Sequence, residues 1–231
     1  MMRLALILVC ALCVILPRES FAEKEFRVVI FGDSLASGYT NQVDGTLPAK
    51  LERKIRSAGY NSVAMVNLSK AEATTSSAIK DVDLVKQQLP DVIVIMLGMA
   101  DISQSVAPQI VQANLDRIIT SLKSLGAYII LVGIPAPKET GELYQYQIQM
   151  AYYNLAKGHG VPFYYSALAG IEGNPDYTLA DGYHPNAQGV DIMVDGLFPY
   201  VDIGLRWRYD IYVYNQENQR NAPSALVFPQ P

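Results

Sequence analysis

Cysteine is nearly absent from this sequence of 231 residues, and the two that occur, Cys10 and Cys13, lie within its first 22 residues. Beyond that segment the chain has no disulfide, no thiolate nucleophile and no cysteine-ligated metal. Histidine is equally scarce, and two histidines without matching acidic partners predict no metal site. The formal net charge of −4 and the lack of Lys/Arg clusters argue against nucleic acid as a partner.

Long apolar runs are also missing, apart from Leu4–Leu16. This run follows a basic residue, Arg3, and precedes Ser20-Phe21-Ala22, which suits a signal peptidase. We therefore expect residues 1–22 to be a signal peptide and Glu23 to begin an exported protein. The run is too short for a comfortable membrane span, but an uncleaved anchor is the alternative. Export without disulfides favours a bacterial protein that is periplasmic or secreted.

The remaining chain alternates short apolar runs with helical patterns. The apolar content of the full sequence, 50%, suffices for one domain with a substantial core. Short runs rich in β-branched residues predict buried parallel strands, and the helical patterns between them predict helices on both faces of the sheet. The predicted fold is a three-layer α/β/α sandwich with a mainly five-stranded parallel, flavodoxin-like sheet. The predicted strands are Phe26–Phe31, Val63–Leu68, Val92–Leu97, Tyr128–Val132 and Val161–Tyr165.

Four helical patterns and a distinct tail complete the organisation. The clearest pattern spaces apolar residues by four and three between Val111 and Leu125. The others lie in 47–58, 144–155 and 190–197. We predict a domain over 23–205 and a C-terminal extension over 206–231, where Tyr209, Ile211 and Val213 alternate with other residues as in an edge strand or an extended arm.

Ser34 follows the first predicted strand, within Gly32-Asp33-Ser34-Leu35. Functional loops of parallel α/β sheets leave the carboxyl ends of the strands, so a serine there is a candidate nucleophile. Its alternative role is a hydroxyl that caps the next helix or turn.

Asp181 and His184 stand three residues apart, just before the last helical pattern. A carboxylate at that spacing can accept a hydrogen bond from Nδ1 of the histidine and leave Nε2 free for a serine. His184 could instead be an ordinary loop histidine. His159 precedes the fifth strand at the opposite end of the sheet, so we interpret it as structural. Gly32 and Gly38 lack the Rossmann spacing and no Gly-Lys-Ser/Thr occurs, so no nucleotide cofactor is predicted.

Through these motifs the chain resembles the SGNH, or GDSL, hydrolase family, from about Phe26 to Val201. It looks most similar to the bacterial exported arylesterase, lysophospholipase and acyl-CoA thioesterase branch. The matching segments are Gly32-Asp33-Ser34-Leu35-Ala36-Ser37-Gly38-Tyr39, Val66-Asn67-Leu68-Ser69, Leu97-Gly98-Met99-Ala100-Asp101 and Asp181-Gly182-Tyr183-His184-Pro185-Asn186. The resemblance implies a three-layer α/β/α fold and a catalytic triad on Ser34, Asp181 and His184.

Two signature residues of the family are not matched. The resemblance places the oxyanion hole on Ser34, on a glycine after the second strand and on an asparagine after the third. Glu72 and Ala100 stand at the last two positions. Glu72 retains a backbone N–H, whereas Ala100 has no side-chain donor, a loss that typically costs about 10²–10³ in rate. Substitute donors could come from Ser69, Thr74, Thr75 or Ser103.

These features predict an exported serine hydrolase that cleaves carboxylic ester or thioester acyl groups of small molecules or lipids, without a cofactor. The intact Ser-His-Asp set favours this enzyme. The altered oxyanion hole favours the alternative, a catalytically weak or inactive domain that binds an acylated lipid, glycan or envelope component. A flavodoxin-like binding domain without acyl chemistry would leave Asp181 and His184 unexplained.

We predict that the mature protein begins at Glu23, because signal peptidase reads the small residues Ser20 and Ala22. N-terminal sequencing of exported material checks this. Recovery of intact Met1 in a membrane fraction would replace export with anchoring.

Overall fold

The computed structural model describes residues 24–38 and 45–221, with the backbone alone for 219–221. The predicted signal peptide lies outside the described residues. Five parallel strands form one sheet in the order β2-β1-β3-β4-β5. The predicted five-stranded parallel α/β fold is thus confirmed. The strands are β1 (Phe26–Gly32), β2 (Val63–Asn67), β3 (Val92–Met96), β4 (Tyr128–Val132) and β5 (Phe163–Tyr164).

The two central strands are apolar along almost their whole length because helices cover both faces of the sheet. Every residue of β3 is buried, as are Val28 to Gly32 in β1. Such strands lack the alternation of a one-sided sheet. β5 is the shortest strand, and its Tyr164 carbonyl accepts the N–H of Gly133 just beyond β4.

The helices form two groups that pack on opposite faces. α2 packs against α8 on one side, while α6 packs against α4 and α7 on the other. No helix in the described ranges is long and apolar enough to cross a membrane. The helices are α1 (Ser34–Ser37), α2 (Leu47–Ser57), α3 (Thr75–Ala78), α4 (Val82–Gln87), α5 (Met99–Ser103), α6 (Pro108–Lys123), α7 (Glu142–His159) and α8 (Ala187–Asn221), with single 3₁₀ turns at Ile79–Asp81 and Lys138–Thr140.

Residues 206–221 are helical rather than an edge strand or an extended arm, and residues 222–231 lie outside the described part of the chain. α8 runs for 35 residues without a break, and the predicted boundary between 205 and 206 falls inside it. The alternation at Tyr209, Ile211 and Val213 is not the pattern that packs. The residues that face the sheet are spaced by one helical turn. Arg208 and Tyr212, one helical turn apart, both face the sheet, where Tyr212 contacts the ring of Phe26.

Asp91 fixes this part of α8 to the amino end of the sheet. Its buried carboxylate accepts hydrogen bonds from Nε and Nη2 of Arg208, at 3.1 and 2.9 Å, and from the Lys24 ammonium at 2.5 Å. The backbone N–H of Arg27 donates to its other oxygen. A buried carboxylate needs such partners to offset its desolvation. One side chain therefore joins the start of β1, the start of β3 and the last third of α8.

Candidate active site

The site lies where the connections of the sheet change direction. The chain passes from β1 outward to β2 on one side, and from β3 through β4 to β5 on the other. The crevice beyond the carboxyl ends of β1 and β3 is the usual ligand site of such sheets. Ser34 follows β1 at this point, and Gly98 follows β3.

Asp33 ties these two strand ends together. Its Oδ2 accepts the N–H groups of Gly98 and Met99, at 2.7 and 2.6 Å, and its Oδ1 accepts that of Leu35 at 3.2 Å. Burial raises the pKa of Asp33 to about 7, and the N–H groups of Met99, Gly98 and Leu35 oppose that rise. Because both oxygens accept N–H groups, the contacts favour the ionised carboxylate. Asp33 therefore fixes the turn that carries Ser34.

Ser34, His184 and Asp181 form one hydrogen-bonded chain. Ser34 begins α1 with only 7% of its surface exposed, and its Oγ lies 3.1 Å from Nε2 of His184. Nδ1 of His184 lies 2.7 Å from Oδ2 of Asp181. A carboxylate can only accept at Nδ1, so Nδ1 carries the proton and Nε2 is left to accept the serine hydroxyl.

Asp181 also shapes the turn that presents His184. Its Oδ1 accepts the N–H groups of Tyr183 and His184, at 3.0 and 2.9 Å. Partial burial raises the pKa of Asp181. The hydrogen bonds from Tyr183 and His184 lower it by more than burial raises it, so the pKa lies below its usual value. Gly182 takes a φ of +72°, a conformation that side chains resist. The DxxH spacing thus encodes both the acid–histidine contact and the turn.

Neither predicted oxyanion position carries a side-chain amide. Ala100 lies buried in the first turn of α5, and Glu72 is exposed in the loop after β2. The four hydroxyls considered as substitutes are engaged or enclosed. Thr74 accepts the N–H of Ser77, Thr75 donates to Asp101, and Ser103 donates to the Ala100 carbonyl. In the described part of the chain, Ser69 Oγ has no hydrogen-bond partner, but it is shut off from solvent and hence from an incoming substrate.

These findings agree with a family model. Residues 30–192 match the GDSL-like lipase/acylhydrolase family. The chain belongs to this family. The match spans more than half of the chain and ends within α8. Family membership and the relatives below indicate an ester hydrolase.

Individual relatives and solved structures point the same way. An arylesterase of Vibrio mimicus is 26% identical over 163 residues, which are 70% of this chain and 81% of the relative. The thioesterase 1/protease 1/lysophospholipase L1 of Escherichia coli K12 is 28% identical over 169 residues, 73% and 79% of the two chains. The SGNH-hydrolase family esterase AlinE4 superposes with a TM-score of 0.65 at 28% identity, covering 79% of this chain and 98% of that one.

A buried network that sequence reasoning missed connects two loops of this family member. Asp101 accepts the N–H and the hydroxyl of Thr75, both at 2.7 Å, and Asn114 of α6 donates to the same hydroxyl. All three residues are buried. The network holds the loop after β2 against the loop after β3, where the oxyanion positions lie. Asp101 was visible in the sequence as part of a motif, but its partners carried no signal of their own.

Tyr152 of α7 contacts the backbone of the loop after β3. Tyr152 is buried in the core, and its hydroxyl donates to the Leu97 carbonyl at 2.6 Å. That hydroxyl occupies the place of a β-carbon on Gly98, whose φ is +135°. Glycine is therefore required next to Leu97 for two reasons, the backbone conformation and the space that Tyr152 fills.

Two cavities lie at the carboxyl side of the sheet, one of them beside Asp181. One of about 560 Å³ opens beside Asp181 and Tyr183 and also touches Met99. The other, of about 300 Å³, lies at the carboxyl ends of β4 and β5. Both are lined in part by Lys138 and Glu172. The cleft directly at Ser34 and His184 is far smaller, about 10 Å³. The larger space therefore lies beside Asp181 rather than over Ser34 and His184.

His159 lies away from this site, as predicted. Its Nε2 is 2.8 Å from Asp116 Oδ1 on α6, and its carbonyl accepts the Lys123 ammonium. No group of three or more His, Cys, Asp or Glu residues suited to a metal occurs in 24–38 and 45–221.

We expect Gly98→Ala to lower the free energy of unfolding by about 2–4 kcal/mol, from backbone strain and overlap with the Tyr152 hydroxyl. Tyr152→Phe removes the overlapping hydroxyl. The double variant should therefore lose about 1 kcal/mol less free energy of unfolding than the two single variants lose in sum. Urea unfolding of the parent, the two single variants and the double variant gives the coupling energy between the two positions. Strict additivity would mean that Tyr152 does not restrict this position.

Proposed function

We propose that the protein is an exported serine hydrolase that cleaves carboxylic ester or thioester acyl bonds through Ser34, His184 and Asp181. The observation that carries the proposal is the hydrogen-bonded chain from Ser34 Oγ to His184 to Asp181. Membership in the acylhydrolase family and the esterase and thioesterase names of its relatives support the substrate class. Residues that form a nucleophile, a base and an orienting acid in this order perform acyl transfer on several unrelated folds.

The reaction follows from the roles of these groups. Ser34 Oγ attacks the acyl carbon while His184 Nε2 takes its proton. The imidazolium then protonates the leaving alcohol or thiol as its bond to the acyl carbon breaks. Water, deprotonated by His184, releases the acid and restores the serine. Asp181 stabilises the imidazolium, and its lowered pKa keeps it charged at neutral pH.

The oxyanion receives its first hydrogen bond from the Ser34 N–H, at the start of α1. A second would come from the backbone N–H of Glu72. The carboxylate of Glu72 disfavours a negative oxygen nearby, and Ala100 contributes no donor. We therefore expect slow turnover relative to a site with a complete oxyanion hole.

The alternative function is binding without efficient turnover. The altered oxyanion positions favour it, because Ala100 is buried without a side-chain amide and the Ser69 hydroxyl is enclosed. In this case the cavities beside Asp181 would hold an acylated ligand that is not cleaved.

We predict that the parent protein hydrolyses a short p-nitrophenyl ester and that Ser34→Ala abolishes this activity, because the nucleophile is lost. Reaction with a fluorophosphonate, followed by mass spectrometry, should label Ser34 in the parent only. Ser37→Ala is a matched control, because its hydroxyl lies on the same short helix and donates to the Ser34 carbonyl. Equal rates in the parent and Ser34→Ala would remove the serine-hydrolase proposal.

We expect Ala100→Asn to raise kcat on activated esters by about tenfold to a hundredfold with KM nearly unchanged, because the added amide would act mainly in the transition state. Adding Glu72→Gly should help further by removing a negative charge, although the two effects need not add. Ala169→Asn, on an exposed turn, controls for the substitution itself.

Two outcomes of this measurement decide between the functions. A fast parent that neither substitution improves has another donor, and the account of the oxyanion hole is then wrong. A parent that stays inert with both substitutions is better described as a binding domain.

A further inference from the structure

Tyr183 connects the turn that presents His184 to a different part of the sheet. Its hydroxyl donates a hydrogen bond to the carbonyl of Pro135, in the loop that follows β4. Its ring is mostly buried and lies edge-on to the His184 imidazole, with ring centres 6.3 Å apart at 79°. The side chain next to the proposed base thus reaches across to another strand end.

Several other hydrogen bonds of this turn, among the residues that the structure describes, are local. Asp181 accepts N–H groups from within the turn, Leu179 N–H donates to the His184 carbonyl at 2.7 Å, and Asn186 donates to the Asp176 carbonyl. Such bonds give the turn its internal shape. They do not fix the distance between the turn and the loops at the ends of β1 and β4.

The contact between His184 and Ser34 is not a sufficient anchor. It changes during the reaction, since the serine proton moves to His184 and Ser34 becomes bonded to the acyl group. His184 must nevertheless stay in place to protonate the leaving group and then to deprotonate water. A bond that persists through these steps has to come from elsewhere.

We propose that Tyr183 is a positioning residue, whose hydroxyl bond to the Pro135 carbonyl holds the Asp181–His184 turn against Ser34 throughout the catalytic cycle. This inference rests on the proposed function, because it assigns the anchor of the proposed base. It adds to the ties already described among the strand-end loops, such as Asp33 between β1 and β3 and Tyr152 at the loop after β3.

The chemistry of the hydroxyl suits this role. Burial raises the pKa of Tyr183 well above its usual value, and the carboxylates of Glu172 and Asp33 raise it further. The hydroxyl therefore keeps its proton, and remains a donor, at neutral pH. Phenylalanine would keep the ring and its contact with His184 while removing the donor, which isolates the hydrogen bond.

The test compares Tyr183→Phe with Tyr144→Phe. Tyr144 on α7 also donates its hydroxyl to a backbone carbonyl, that of Val106 at 2.8 Å, but it takes no part in the turn. Each change removes one such bond, so both should lower Tm by a similar amount, about 2–4 °C. Tyr183→Phe alone should lower kcat by about tenfold with KM within about twofold, because His184 is less well placed for proton transfer. It alone should also speed amide hydrogen exchange in residues 179–186.

The outcomes separate this inference from the proposed function. If Ser34→Ala is inactive but Tyr183→Phe matches the parent in kcat and exchange, the hydrolase proposal stands and the anchor is wrong. If both tyrosine variants lose activity equally, the effect is general destabilisation and the anchor is again wrong. If the parent shows no turnover, exchange decides alone. Faster exchange at 179–186 only in Tyr183→Phe supports the anchor, and no change overturns it.

Discussion

The carboxylate of Asp33 is the contact on which the arrangement of the site depends. It lies between the two central strands of the sheet and accepts N–H groups from both the turn after β1 and the turn after β3. Without it, three backbone donors would lie buried beside the site with no acceptor, which is costly. The position of Ser34, and the position of Ala100 relative to it, both follow from how these turns are joined.

Much of the fold could be predicted from the sequence, because buried parallel strands are encoded by short apolar runs that are hard to mistake. The segment after Leu205 could not, since Tyr209, Ile211 and Val213 carry an alternation that also fits a strand. The contacts that hold this helix on the sheet are long-range, such as that of Arg208 with Asp91, more than a hundred residues earlier. Long-range ion pairs leave no local pattern.

The candidate site, too, could be predicted from the sequence only in part. Ser34, Asp181 and His184 could be named because their side chains stand in motifs with a chemical reason for the spacing. Tyr152 and Tyr183 could not, because a tyrosine that anchors a carbonyl has the same sequence signature as one that fills a core. Their roles emerge from backbone acceptors at Leu97 and Pro135, which any residue could supply.

Asp91 binds both Lys24, near the beginning of the described chain, and Arg208, in its final helix. These contacts lie at the amino end of the strands, whereas Ser34 and His184 lie beyond the carboxyl end. A surface, bead or carrier coupled beside Lys24 or Arg208 would therefore attach to the pole opposite the candidate cleft. Immobilisation at this pole should leave that cleft facing the solution, which makes the molecule suited to oriented attachment.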